Sequence, residues 1–268
     1  MRTRPTLLPF ASLAALALAS APAAQGFVTG TVGPNPAPIG CDVQITFSND
    51  SPFFGSTMAD AFEVFDANMQ PVFTPAGFPI SIDMGPWGWF TAKWDQRDDS
   101  GQQVPPGTYI VRTDFDAGPS TFHTIQIGGT EAGLVTRGSP SIFETLGGQS
   151  REFFLCSPQD GGRPYLLLAS FTADVGIPTC GGTFPLDPDP LLTLSLEPNA
   201  VFQGSLGMLQ PDGTTDPTGK ENTAPFFDLP EDPILVGQSL VAAFVVLDFR
   251  QPCIVRRISS THPMTIIG

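Results

Sequence analysis

Phe90-Thr91-Ala92-Lys93-Trp94-Asp95-Gln96-Arg97-Asp98-Asp99-Ser100-Gly101-Gln102-Gln103-Val104-Pro105-Pro106-Gly107-Thr108-Tyr109-Ile110-Val111 is the stretch that decides the fold. A strand ends at Trp94, Asp98-Asp99-Ser100-Gly101 makes a polar turn, and Val104-Pro105-Pro106-Gly107 reverses the chain into a new strand. Proline presets φ for such a reversal and glycine accepts the positive φ that a turn needs. From Thr108 to Phe115 the pattern alternates, with Tyr109, Val111, Thr113 and Phe115 on one face and Ile110, Arg112 and Asp114 on the other. That is a half-buried strand.

The same signature recurs in both directions. Val43 to Phe47, Phe62 to Phe65, Tyr165 to Phe171 and Leu191 to Leu196 are short apolar runs bounded by Gly, Pro, Asn or Asp, and read as strands. Sustained helical periodicity is absent after the first 26 residues. With 28 Gly and 29 Pro the chain could be taken for disordered, but 22 Phe and only 14% charged residues argue for a packed, turn-rich core. The expected fold class is all-β, as two tandem β-sandwich domains. Seven or eight strands fit residues 27–128, the size of an immunoglobulin-like sandwich. The Gly-rich stretch 128–133 opens an expected linker over 129–147, and a second sandwich is expected over 148–268.

Residues 1–26 read as a signal peptide. Arg2 and Arg4 give a positive start, Leu7 to Ala19 is apolar, and Ala21 to Gly26 supplies small residues for cleavage. The apolar run is about 13 residues, short of the roughly 20 that span a bilayer. The expectation is a secreted protein, extracellular or periplasmic, with no membrane attachment after cleavage. Loss of the two arginines takes the net charge from −14 to about −16. Nucleic acid is thereby excluded as a partner, because phosphate backbones require clustered Lys and Arg.

Four cysteines, Cys41, Cys156, Cys180 and Cys253, suggest two disulfides in an exported chain. The preferred pair is Cys180 with Cys253, which leaves Cys41 and Cys156 either free or clipping the two halves together. Four buried thiols are the alternative.

The Phe90 to Val111 motif, with Val43-Gln44-Ile45-Thr46-Phe47-Ser48-Asn49 and Phe62-Glu63-Val64-Phe65-Asp66 upstream, resembles bacterial immunoglobulin-like modules. It is similar both to the flagellar hook-capping type and to the intracellular proteinase inhibitor (BsuPI-like) type. The resemblance spans about 90 residues and implies an immunoglobulin-like first sandwich; protease inhibition would follow from only one of the two families. The second half resembles an uncharacterised β module of exported bacterial proteins, through Gly147-Gly148, Tyr165 to Ser170, Cys180-Gly181-Gly182, Gly204-Ser205-Leu206-Gly207 and Leu229 to Leu240. That resemblance implies secretion and β structure, and no activity.

No catalytic constellation is legible. Asp99-Ser100-Gly101 is a single copy of a tripeptide that aspartic proteases need twice, and it falls in a turn. Gln203-Gly204-Ser205-Leu206-Gly207 lacks the first glycine of a nucleophile elbow. His123 and His262, the only histidines, sit near strands and read as structural. Three tryptophans, Trp87, Trp89 and Trp94, fall within eight residues and are the candidate ligand-binding platform. No cofactor is expected; calcium is the one metal the loops suggest, through Asp95, Asp98 and Asp99, with Asp187, Asp189, Asp212 and Asp216 as further loop carboxylates. The expected function is a non-catalytic structural or adhesion protein with an extracellular protein or glycan partner. A secreted protease inhibitor or carbohydrate-binding module is the alternative.

Overall fold

The computed structural model describes residues 28–49, 55–58, 62–76, 81–85, 88–115, 118–136, 141–143, 150–197, 201–215, 224–228 and 232–267. The segment read as a signal peptide lies outside them.

The first half contains β1 (Val28–Gly33), β2 (Val43–Asn49), β3 (Gly55–Met58), β4 (Phe62–Asp66), β5 (Pro71–Phe73), β6 (Ser81–Met84), β7 (Trp89–Trp94), β8 (Gly107–Phe115) and β9 (Gly118–Ile127). Two antiparallel sheets, ordered β1-β2-β7 and β5-β4-β8-β9, enclose the core, and β3 pairs with β6. Period-2 alternation decides which side chains meet. Val43, Ile45 and Phe47 of β2 and Ala92 and Trp94 of β7 face Phe62, Val64, Tyr109, Val111, Ile125 and Ile127. The turn read from the sequence is present: Asp98 accepts from Ser100 N and Gln102 N at 2.9 Å each, and Gly101 takes φ +78°. Tyr109 Oη donates to the carbonyl of Pro105 at 2.8 Å and packs edge-on against Trp94. A tyrosine bonded back to the backbone just upstream is the tyrosine-corner device of immunoglobulin-like sandwiches.

The second half contains β10 (Gly133–Thr136), β11 (Ser141–Phe143), β12 (Ser150–Cys156), β13 (Pro164–Ser170), β14 (Ile177–Thr179), β15 (Gly182–Phe184), helix α1 (Pro190–Leu196), β16 (Phe202–Gln203), β17 (Leu206–Met208), β18 (Phe226–Asp228), β19 (Ser239–Leu247), β20 (Val255–Ile258) and β21 (His262–Ile267). One sheet is ordered β10-β12-β18-β16; the other is β11-β21-β19-β13-β17, with β20 also on β19. Leu134, Phe153, Leu155, Phe202 and Phe227 meet Tyr165, Leu167, Leu240, Phe244 and Ile266 between them. The larger sheet is covered on its other face too, where Phe184, Leu186 and Leu192 lie over Leu168, Ala243 and Val245. Burial on both faces is why Leu240 to Leu247 is almost continuously apolar.

Two expectations need correction. Leu191 to Leu196 is helical: Asp189 caps it by accepting from Leu192 N at 2.8 Å, and Pro190 occupies the first turn, both helix-start signals that outweigh the apolar run. The expected linker 129–147 instead supplies β10, paired with β12, and β11, paired in parallel with β21. Ala132 and Leu134 enter the second core.

The halves are joined tightly. Cys41 is bonded to Cys156, and Cys180 to Cys253, so the preferred pair forms and the other two cysteines clip the sandwiches. Around the clip Cys41, Cys156, Val135 and Phe154 form a small buried cluster. A Cβ at Gly133 would fall 2.7 Å from ring carbons of both Pro34 and Pro38, and one at Gly33 would fall 2.8 Å from Val135. Glycine at these two positions permits the close approach.

Candidate binding surface

The tryptophans do not form one platform. Trp94 is completely buried; its indole Nε1 donates to the carbonyl of Arg97 at 2.8 Å. It is a core residue and is withdrawn as a ligand contact, for the alternation that turns Phe90, Ala92 and Trp94 inward turns Trp89, Thr91 and Lys93 outward. Trp89 is 43% exposed at the start of β7. Trp87 lies outside the described residues.

The calcium candidates are turn formers. Asp95 accepts from Arg97 N at 3.1 Å and pairs with the Arg97 guanidinium at 3.5 Å. Asp98 accepts from the Ser100 hydroxyl at 2.6 Å; that bond, with those from the Gln102 and Ser100 amides, holds its carboxyl below the usual range. Asp99 reaches away to Thr74 N at 2.9 Å. Asp187 receives the Thr172 hydroxyl and the amides of Gly176, Val175 and Asp174, which hold it far below the usual range. Asp189 is committed to α1 and to Phe171 N. Asp212 accepts from Thr214 N at 2.9 Å, and Asp216 lies outside the described residues. Among the described residues no three acidic, His or Cys side chains converge as a metal site.

The histidines are both satisfied. His123 Nε2 lies 3.1 Å from the Thr121 hydroxyl, and burial lowers its pKa. His262 Nε2 accepts from the Thr136 hydroxyl at 2.8 Å and from Thr136 N at 3.3 Å; burial pushes its pKa down to about 4, so the ring is neutral. His262 borders a cleft of about 400 Å³ between the halves, with Thr31, Gly33, Asn35, Leu134 and Thr265.

The surface with the most recognition character is the outer face of the β4-β8-β9 sheet. Arg112 at its centre lies 5.8 Å from the ring centroid of Phe65 and pairs at 3.0 Å with both Glu63 and Asp114. Directly across the ladder from Arg112 stands Phe122, 57% exposed. A guanidinium set against one ring and held by two carboxylates, with a second, exposed aromatic residue across the ladder, gives apolar area together with donors and acceptors of fixed orientation. The alternation placed Arg112 and Asp114 on this face in the sequence. Phe122 was missed, because one aromatic residue in a Thr-rich strand carries no facial signal.

Two buried polar residues were missed for a similar reason. Gln96, at φ +60°, donates from Nε2 to the carbonyls of Pro38 and Cys41 at 2.7 Å each. Asp160, fully buried, accepts from the Ser157 hydroxyl at 2.7 Å and binds Arg256 Nε, with Arg163 and Arg257 at 3.5 and 3.6 Å. One brackets the disulfide from the Cys41 side and the other from the Cys156 side.

No family model matches the chain, and no curated protein matches it. Among solved structures, red sea bream transglutaminase aligns at 11% identity over 90% of this chain and 31% of its own, with a TM-score of 0.30. Murine CEACAM1b aligns at 14% identity over 90% of this chain and 100% of its own, TM-score 0.26. The D00-D0 domain of intimin aligns at 6% identity over 89% and 100%, TM-score 0.27. The chain spans about a third of the transglutaminase. Scores this low leave the fold resting on this chain's own sheets and core.

Proposed function

We propose that this chain is an exported, non-catalytic structural or adhesion protein whose two joined sandwiches hold out the β4-β8-β9 face to a protein or glycan partner. The observation that carries the reading is the exposed Phe122 ring opposite Arg112, itself set against Phe65. Two disulfides fit a chain that matures outside the reducing cytosol. Among the described residues no helix is long and apolar enough to cross a membrane. Asp95, Asp98, Asp187 and Asp189 are committed to turns and a helix cap, and His123 and His262 to threonine hydroxyls, which supports a role without catalysis.

The test is a glycan and extracellular-protein panel probed with the mature chain, its Phe122→Ala variant and its Trp89→Ala variant. Saturable binding lost on Phe122→Ala with an unchanged circular dichroism spectrum supports the reading, and binding lost only on Trp89→Ala moves the site to the β7 edge. Dose-dependent inhibition across a protease panel would replace it with the inhibitor reading.

A further inference from the structure

The cross-links fall in an order that matters for force. The disulfides close loops of 115 and 73 residues, one after the other along the chain, neither nested nor crossed. A pull applied upstream of Val28 and downstream of Ile267 enters along β1, crosses at Cys41 to Cys156, and bypasses everything between them. That leaves β2 only as the strand against which β1 is held, and removes β3 to β9 and the first strands of the second half from the strained path.

At the entry, β1 is antiparallel to β2, with Val28 opposite Asn49 and Gly33 opposite Gln44. The pull acts at the Val28 end, whereas the anchor, Cys41, lies just before Val43 at the opposite end of β2. The ladder bonds run across the strands, so this geometry shears the whole register at once instead of opening it pair by pair. At the exit, β20 and β21 both run antiparallel to β19, from Val255 opposite Leu247 to Thr265 opposite Ser239. A pull on the end of β21 again lies along the ladder, against an anchor at Cys253.

Between entry and exit the path has a shortcut. Asp160 follows Cys156 by four residues, and its carboxylate binds Arg256 and approaches Arg257, which follow Cys253. The carboxylate is fully buried, and Arg257 is tied at 2.8 Å to Glu131 at the start of the second half. Gln96 secures the turn that carries Cys41.

We propose that the protein bears tension along its length, and that the Cys41–Cys156 disulfide followed by the Asp160–Arg256 contact carries that tension from β1 to β20 and β21. The property goes beyond the binding reading above, whose β4-β8-β9 face lies inside the first disulfide loop and off this path: a failed binding panel leaves it standing, and a failed pulling experiment leaves the binding face untouched.

The experiment is single-molecule force spectroscopy on the oxidised mature chain, with handles before residue 28 and after residue 267. Wild type is compared with Cys41→Ser/Cys156→Ser and with Asp160→Asn, which leaves both disulfides intact. Wild type is expected to gain no more than about 200 Å and to regain its first-event force on the next pull, because only the residues outside the two loops can extend. The double variant is expected to gain roughly 400 Å more, from the first loop, and Asp160→Asn to yield at a clearly lower force than wild type. Should the double variant fail to fold, Asp160→Asn alone decides. Gains beyond about 200 Å in the oxidised wild type, or equal first-event forces for wild type and Asp160→Asn, overturn the proposal.

Discussion

The side-chain amide of Gln96 donates to the carbonyl of Cys41 at 2.7 Å and is buried with it. The same nitrogen reaches Pro38 O, and Oε1 accepts from Gly40 N at 3.1 Å, so one side chain satisfies three backbone groups of the turn that carries the inter-sandwich disulfide. Removing it leaves the buried Cys41 carbonyl without its donor, while Pro38 O keeps the Cys41 amide at 3.2 Å, and Gln96→Ala is expected to cost about 2 kcal/mol. Gln96→Gly loses the same bonds but accepts the positive φ without strain, and should cost less. Urea denaturation of both variants checks this; equal midpoints for wild type and Gln96→Ala would show that the turn holds without the amide.

Gly133 lies where the two halves pack tightly. A methyl group there meets the rings of Pro34 and Pro38, neither of which can move without shifting the chain ahead of Cys41. Gly133→Ala is expected to destabilise by about 2 kcal/mol through overpacking and to raise the rate of proteolytic cleavage within residues 128–136. Gly129→Ala serves as the contrast: its Cβ would meet nothing within 4 Å, and its cost comes only from a φ of +78°.

Acid should weaken the second sandwich in two stages. His262 has its pKa pushed below the usual histidine value, to about 4, by burial. The unfolded chain therefore binds the proton first, and stability falls as pH drops through about 6.5 and levels off below about 4. The ring keeps some solvent contact, so the loss is set at about 2 kcal/mol rather than the full shift. Asp187, whose carboxyl is held down by the Thr172 hydroxyl and three amides, adds a further loss below the ordinary carboxylate range. Thermal melts of wild type and His262→Gln between pH 7 and pH 4 test the first stage; parallel curves would remove His262 as its source.

The first sandwich was legible because its chemistry is local. Trp94 at a strand end, the Asp98 to Gly101 turn, the Pro105-Pro106-Gly107 reversal and the alternation of Tyr109, Val111 and Thr113 act within a few residues of one another, and the structure holds these local features, although it buries Trp94 instead of offering it to a ligand. In the second half Leu191 to Leu196 was misread, since six apolar residues between prolines suit a buried strand or a buried helix until the cap at Asp189 is weighed. Residues 129–147 looked like a linker because glycines dominate the eye, although Leu134 and Val135 were core residues in waiting.

What the sequence by itself determined is the all-β character and the placement of core residues by alternation. Both follow from backbone periodicity and composition, which any window of the chain carries. Only the tertiary structure decided that Cys41 meets Cys156, that Gln96 and Asp160 brace the two sides of that bridge, and that Phe122 rather than Trp94 faces outward beside Arg112. Each of these depends on which strands pair and in which register. Register is a property of residues tens to more than a hundred positions apart, brought together by burying a shared core, and no local pattern encodes it.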